Sequence, residues 1–203
     1  IEIHMLKNYG PANLNRDDTN APKTCMFGGV PRARISSQCL KRSWRTSELF
    51  REEIGSSLLG IRTRKLPDLV GEELTRRGLS DKEIEGVKKN LTGIGNKNSK
   101  ETEDGKTKQI ILYSPEDITV LADTIERKLK NGEKISTKDL EAELKKDSKR
   151  SLSVDMALFG RMVTSDAFAD VEASMQVAHA VSTNKVYMES DYFTAVDDLI
   201  FGG

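Results

Sequence analysis

Between residues 61 and 150 the chain is punctuated as a series of short helices, and nothing else in it limits the possible fold as much. The stretch "SPEDITVLADTIERKLKNG" (114–132) opens on Ser114, carries Pro115 in the first turn and Asp117 three places on, and closes before Gly132. A hydroxyl, a proline and an acid at those places satisfy or complement the free N–H groups of a helix start. "STKDLEAELKKDSKR" (136–150) repeats the cap-then-acid pattern and ends in basic residues, which suits the helix dipole. "LPDLVGEELTRRG" (66–78) and "SDKEIEGVKKNLTG" (80–93) predict two more helices with Gly78 and Gly93 near their ends. Residues 95–108, "GNKNSKETEDGKTK", hold no hydrophobic residue and read as a flexible linker or a disordered loop, followed by the brief apolar run "QIILYS" (109–114).

The flanks are written differently. Residues 1–9, "IEIHMLKNY", alternate apolar and polar apart from Leu6 and predict a half-buried strand. The amino end lacks an initiator methionine and a signal-peptide pattern, and reads as the inside of a strand. Residues 10–22 are turn chemistry throughout, and the "GG" of "FGGVP" is best taken as a turn. "PRARISS" (31–37) alternates again, and Ser36 or Ser37 can cap a helix expected over 37–54, with Gly55 as its stop. In residues 151–203, "LSVDMALFGRMVTSD" and "EASMQVAHAVSTNKVYM" carry apolar residues on both parities, as buried strands do, and "SDYFTAVDDL" can begin a helix. A strand–loop–helix opening, a helical insertion and a return to strands predict an α+β domain interrupted by a helical one.

Composition narrows the function classes. The chain has 203 residues, of which 36% are hydrophobic and 32% charged. No apolar run approaches the roughly 20 residues of a membrane span, so a membrane partner is not expected. Cys25 and Cys39 have no histidine or cysteine at metal-ligand spacing, and they are expected as reduced thiols of a cytoplasmic protein. His4 and His179 likewise lack ligand partners, and no nucleophile-elbow, P-loop or zincin motif occurs. Neither a catalytic residue, a metal nor a cofactor is therefore expected. The formal charge is zero, yet residues 1–65 hold 12 Lys+Arg against 6 Asp+Glu, and residues 151–203 hold 2 against 8. Such a chain can bind a polyanion and can also stack head to tail on itself.

Asp17 and Asp18 in "LNRDD" admit two readings. Adjacent loop carboxylates can hold Mg²⁺ for phosphodiester cleavage. The favoured alternative is an Asx-type turn, with Asp17 or Asp18 hydrogen-bonding loop backbone and pairing with Arg16. No third carboxylate lies near them in sequence.

The basic cluster says more. Arg16, Lys23, Arg32, Arg34, Lys41, Arg42 and Arg45 fall among residues 16–45, where Asp17 and Asp18 are the sole acids. On a helical wheel Gln38, Lys41, Arg42 and Arg45 share one arc, opposite Cys39, Leu40, Trp44, Phe50 and Ile54. Lys41 and Arg45 sit one turn, about 6 Å, apart, which compares with phosphate spacing along a single strand. Ser36, Ser37 and Gln38 add donors at the helix amino end, which itself attracts anions. No run resembles an aromatic base-stacking motif, so contact with a nucleic-acid backbone is expected.

Taken in order, "LNRDD", "FGG", "RARISSQCLKRSWR", "ALFGRMVTSD", "QVAHAVSTNKV" and "DYFTAVDDL" resemble the backbone (CasC-type) subunit of the type I-E CRISPR Cascade complex, of the RAMP superfamily, along the whole chain. The resemblance implies a non-catalytic protein that binds CRISPR RNA (crRNA), assembles with copies of itself in a helical filament and with other Cascade subunits, and meets target DNA through the guide. It implies an RRM-like (ferredoxin-like) palm at 1–60 and 151–203, interrupted by helical fingers at 61–150. Carried over residue by residue, Arg16, Lys23, Gln38, Lys41, Arg42 and Arg45 match guide-backbone contacts, with Ser36 and Ser37 near them. Met162 matches a residue that sits against the guide beside a displaced base. The family's pattern continues past "TAVDDL" into a thumb hairpin and a final palm strand, which the sequence here does not include. Related type III backbone subunits cleave RNA from a loop aspartate, so a metal-dependent ribonuclease using Asp17 or Asp18 is the rival expectation.

Overall fold

The protein is described by a computed structural model covering residues 1–10, 12–96, 102–146, 151–164, 167–189 and 192. It divides into two compact units, one of residues 1–40 and 177–203, the other of residues 41–176. Helices and small antiparallel sheets together make the fold α+β.

In the first unit β1 (Thr24–Phe27) and β2 (Val30–Ile35) form a hairpin, with Phe27 opposite Val30. Gly28 and Gly29 make its two-residue turn with φ of 62° and 75°, a left-handed pair that other residues adopt only under strain. A short strand, β5 (Ala180–Val181), pairs antiparallel with the other edge of β2. Arg32 ties the three strands together: its Nε donates to the Phe27 carbonyl at 2.9 Å and its Nη1 to the Ser182 carbonyl at 2.8 Å. The strand expected at 1–9 does not form. No strand among the described residues pairs with residues 1–10, and an alternating pattern without a ladder partner leaves its backbone to water.

α1 (Ser37–Thr46) follows β2. The helix expected over 37–54 is broken at Ser47, which is extended and begins α2 (Glu48–Ile54). Its hydroxyl donates to the Trp44 carbonyl and accepts from the Phe50 N–H, so a local side-chain cap replaces the continuing ladder. The stop at Gly55 is where the sequence places it.

The second unit holds α3 (Leu66–Arg76), α4 (Asp81–Thr92), α5 (Pro115–Lys130) and α6 (Thr137–Lys146), with α3 packed on α4 and α5, and α6 on α5. β3 (Ile61–Thr63) and β4 (Ile111–Tyr113) pair antiparallel beside them. The expected cap of Ser114 with Asp117 opens α5, and a further capping box, Ser80 with Glu83, opens α4. Leu66, Val70, Leu74, Leu91, Leu121, Ile125 and Leu140 meet in a wholly buried core. The described part of the predicted linker is held down, because the buried Thr107 exchanges backbone and side-chain hydrogen bonds with Arg64.

Residues 151–176 differ most from expectation. Val154–Phe159 is a helix, α7, where a buried strand is predicted, and it is followed by a single bridge between Arg161 and Val171. A six-residue apolar segment reads alike as strand or helix by periodicity, and Ser153 and Gly160 bracket it. Arg161 then enters the core region. Its Nη1 stands 3.0 Å from Asp117 Oδ2, and its guanidinium lies 4.9 Å from the centre of the Phe168 ring. Apart from Tyr192, "SDYFTAVDDL" lies outside the described residues.

Candidate nucleic-acid interface

Asn15 and Ser36 set the start of α1. The Asn15 amide oxygen accepts from the Ser36 N–H at 2.9 Å, and the Ser36 hydroxyl accepts from the Cys39 N–H at 3.3 Å. Ser36 is thus a buried cap, whereas Ser37 is half-buried and Gln38 exposed. Along the helix Arg42 is exposed, while Lys41 and Arg45 are half-buried. Cys39, Leu40 and Trp44 are only half-covered, and α1 has no buried residue where a core-facing side is predicted. Among the described residues neither Lys41 nor Arg42 has an ion-pair partner. Arg45 does: its Nη1 stands 3.6 Å from Oδ2 of the buried Asp155. The four residues of the predicted arc thus divide into exposed Gln38 and Arg42, half-buried Lys41, and an arginine already matched to a carboxylate.

Arg16 and Lys23 flank a tight loop closed by the Arg16–Pro22 bridge. Arg16 is exposed and donates to the Asn20 amide oxygen at 3.0 Å, and Lys23 is half-buried. Asp17 Oδ1 accepts from the Thr19 hydroxyl and from the backbone N–H groups of Thr19 and Ala21, all within 2.9 Å. The Thr19 hydroxyl chiefly, then those amides and the Lys23 charge, hold its carboxyl below the usual range. This is the Asx turn of the sequence reading, with Asp17 engaged in loop architecture. Asp18 is exposed beside it, and no group of three or more His, Cys, Asp or Glu converges among the described residues. Cys25 and Cys39 are free thiols.

Met162 projects from the segment after α7 and is 89% exposed, so it has no place in the core. The sequence reasoning missed Asp155, a wholly buried acid in the first turn of α7, and the Arg161–Asp117 pair. An acid early in a short helix is ordinary capping chemistry, and nothing local marks it as a partner for a distant arginine.

Over residues 1–202 the sequence matches the family described as CT1975-like protein. The chain belongs to this family. No curated protein matches it. Among solved structures, this CT1975-like chain is similar to a chain of a CRISPR RNA-guided surveillance complex, pre-nicking, at a TM-score of 0.65 and 28% identity, covering 92% of this chain and 53% of that one. It is also similar to a chain of a second CRISPR RNA-guided surveillance complex, at 0.62 and 26%, covering 86% and 56%. It spans about half the length of the solved chains it matches. No helix among its described residues is long and apolar enough to cross a membrane.

Proposed function

We propose that this CT1975-like chain is a non-catalytic, cytoplasmic backbone subunit of CasC type in a type I-E Cascade complex. It binds crRNA, assembles along it with copies of itself and other subunits, and presents it to target DNA. The observation that carries the reading is the likeness to a chain of an RNA-guided surveillance complex over 92% of the present chain. The α1 surface supports it, because Lys41 and Arg42 carry charge that no described carboxylate neutralises. In this reading Lys41, Arg42, Arg16 and Lys23 contact guide phosphates, Gln38 and Ser37 add hydrogen bonds, Ser36 fixes the helix start, and Met162 rests against a base. The sheet around β2 belongs to an RRM-like palm, and α3–α6 are the fingers.

Copurified RNA raises the ultraviolet absorbance ratio of the purified chain, and affinity for single-stranded RNA falls steeply with salt. Each phosphate contact contributes about 0.7 to that logarithmic slope, so Lys41→Glu with Arg42→Glu lowers it by about 1.4. An unchanged slope removes the assignment of this face. Labelled RNA stays intact with Mg²⁺ present; Mg²⁺-dependent cleavage lost in Asp17→Ala or Asp18→Ala establishes the ribonuclease instead.

A further inference from the structure

Asp155 lies in the first turn of α7 with its side chain fully buried. Its Oδ1 accepts from the backbone N–H of Gly60 at 2.8 Å and of Met156 at 3.1 Å. Gly60 can approach this closely because it has no Cβ: one there would lie 2.9 Å from Ser153 Oγ and from the Tyr113 carbonyl oxygen. Oδ2 has no hydrogen-bond partner and faces the Arg45 guanidinium at 3.6 Å, an ion pair too long for a hydrogen bond. The Arg45 side chain is 16% exposed. A buried carboxylate is tolerated when a counter-charge accompanies it. Drawing Arg45 out to a phosphate would strand that carboxylate in the interior, a larger penalty than one screened phosphate contact returns.

We propose that Arg45 is a positioning residue and not a phosphate contact. Neutralised by Asp155, it docks the last turn of α1 against the start of α7 and the backbone at Gly60. The docking holds Lys41 and Arg42, one turn earlier on the helix, in the orientation in which they meet a nucleic-acid backbone. The inference rests on α1 being the guide-binding helix, and it reassigns one of that helix's basic residues.

The test begins with the unaltered full chain, footprinted by an arginine-selective dicarbonyl reagent with and without single-stranded RNA. Arg42 reacts in the free protein and is protected by RNA, while Arg45 resists in both states. An Arg45 that reacts when free and is protected by RNA overturns the proposal. Affinity then separates the roles. Arg45→Gln and Asp155→Asn each weaken RNA binding several-fold at an unchanged salt slope, and the double variant is no weaker than the weaker single. A slope reduced by about 0.7 in Arg45→Gln, or tighter binding by Asp155→Asn, overturns it. The footprint needs no substitution and stands even where a variant fails to fold. Absence of RNA binding by the unaltered chain removes the functional reading. The pairing is then judged by a double-mutant cycle in thermal unfolding, where zero coupling between Arg45 and Asp155 overturns it.

Discussion

In the helical unit Leu66, Val70, Leu74, Leu121 and Ile125 are wholly buried, whereas the unit of residues 1–40 and 177–203 exposes Met26, Phe27 and Tyr187. Among the described residues Ser36 is the sole buried side chain of that unit. One unit therefore generates its own stability from apolar burial. The other is held by ladder hydrogen bonds and by polar staples such as Arg32 on the Phe27 and Ser182 carbonyls.

Substitutions can break or sharpen this contrast. The largest effect is expected at the buried pair of the helical unit. Arg161→Met leaves Asp117 without its guanidinium and lowers stability by about 3–5 kcal/mol in denaturant unfolding. A loss under 1 kcal/mol would show that the pair is not part of what holds the unit together. Next, Leu74→Ala costs about 2–5 kcal/mol while Phe27→Ala stays within about 0.5 kcal/mol. Equal costs would erase the difference between the units. At the helix starts, Ser114→Ala removes one half of a capping box and costs about 1 kcal/mol, read as a lower Tm. The smallest effect is spectroscopic. Burial pushes the Tyr113 phenol up to about 12, so its phenolate absorbance, taken against Tyr113→Phe, emerges only toward that pH. The neutral phenol is favoured in the folded state. Its contribution to stability is complete below about 10, where an unfolded tyrosine ionises, and is lost as the pH rises through about 12.

The helical unit was legible because its rules are local. Ser114 with Asp117, and Gly78 and Gly132, declare helix ends within a few residues of themselves. The segment after residue 151 was misread because "VDMALF" is short and apolar on both parities, and short runs of that kind do not fix a period. Ser47 broke the long predicted helix through a side-chain cap that competes with the backbone, a choice the amphipathic wheel does not register. At the candidate interface the wheel grouped Gln38, Lys41, Arg42 and Arg45 on one arc. It had no means of seeing that Arg45 would meet an acid more than a hundred residues away. The Asx turn at Asp17 was readable because its partners, Thr19 and Ala21, are immediate neighbours.

Asp117 serves two structures at once, since its carboxylate accepts from the Ser114 N–H at the start of α5 and faces Arg161 across the unit. On a ribosome these two roles mature at different times. The helix start can form once the first turn of α5 has left the exit tunnel, but Arg161 emerges 44 residues after Asp117. At about 5–20 residues per second that delay is roughly 2–9 seconds. Through that interval Asp117 is held by the Ser114 N–H and has yet to meet the Arg161 guanidinium, and Phe168, which stacks on that guanidinium, emerges later still. The nascent helical unit therefore closes late, and a chain released before Phe168 emerges would offer its apolar interior to chaperones or to aggregation.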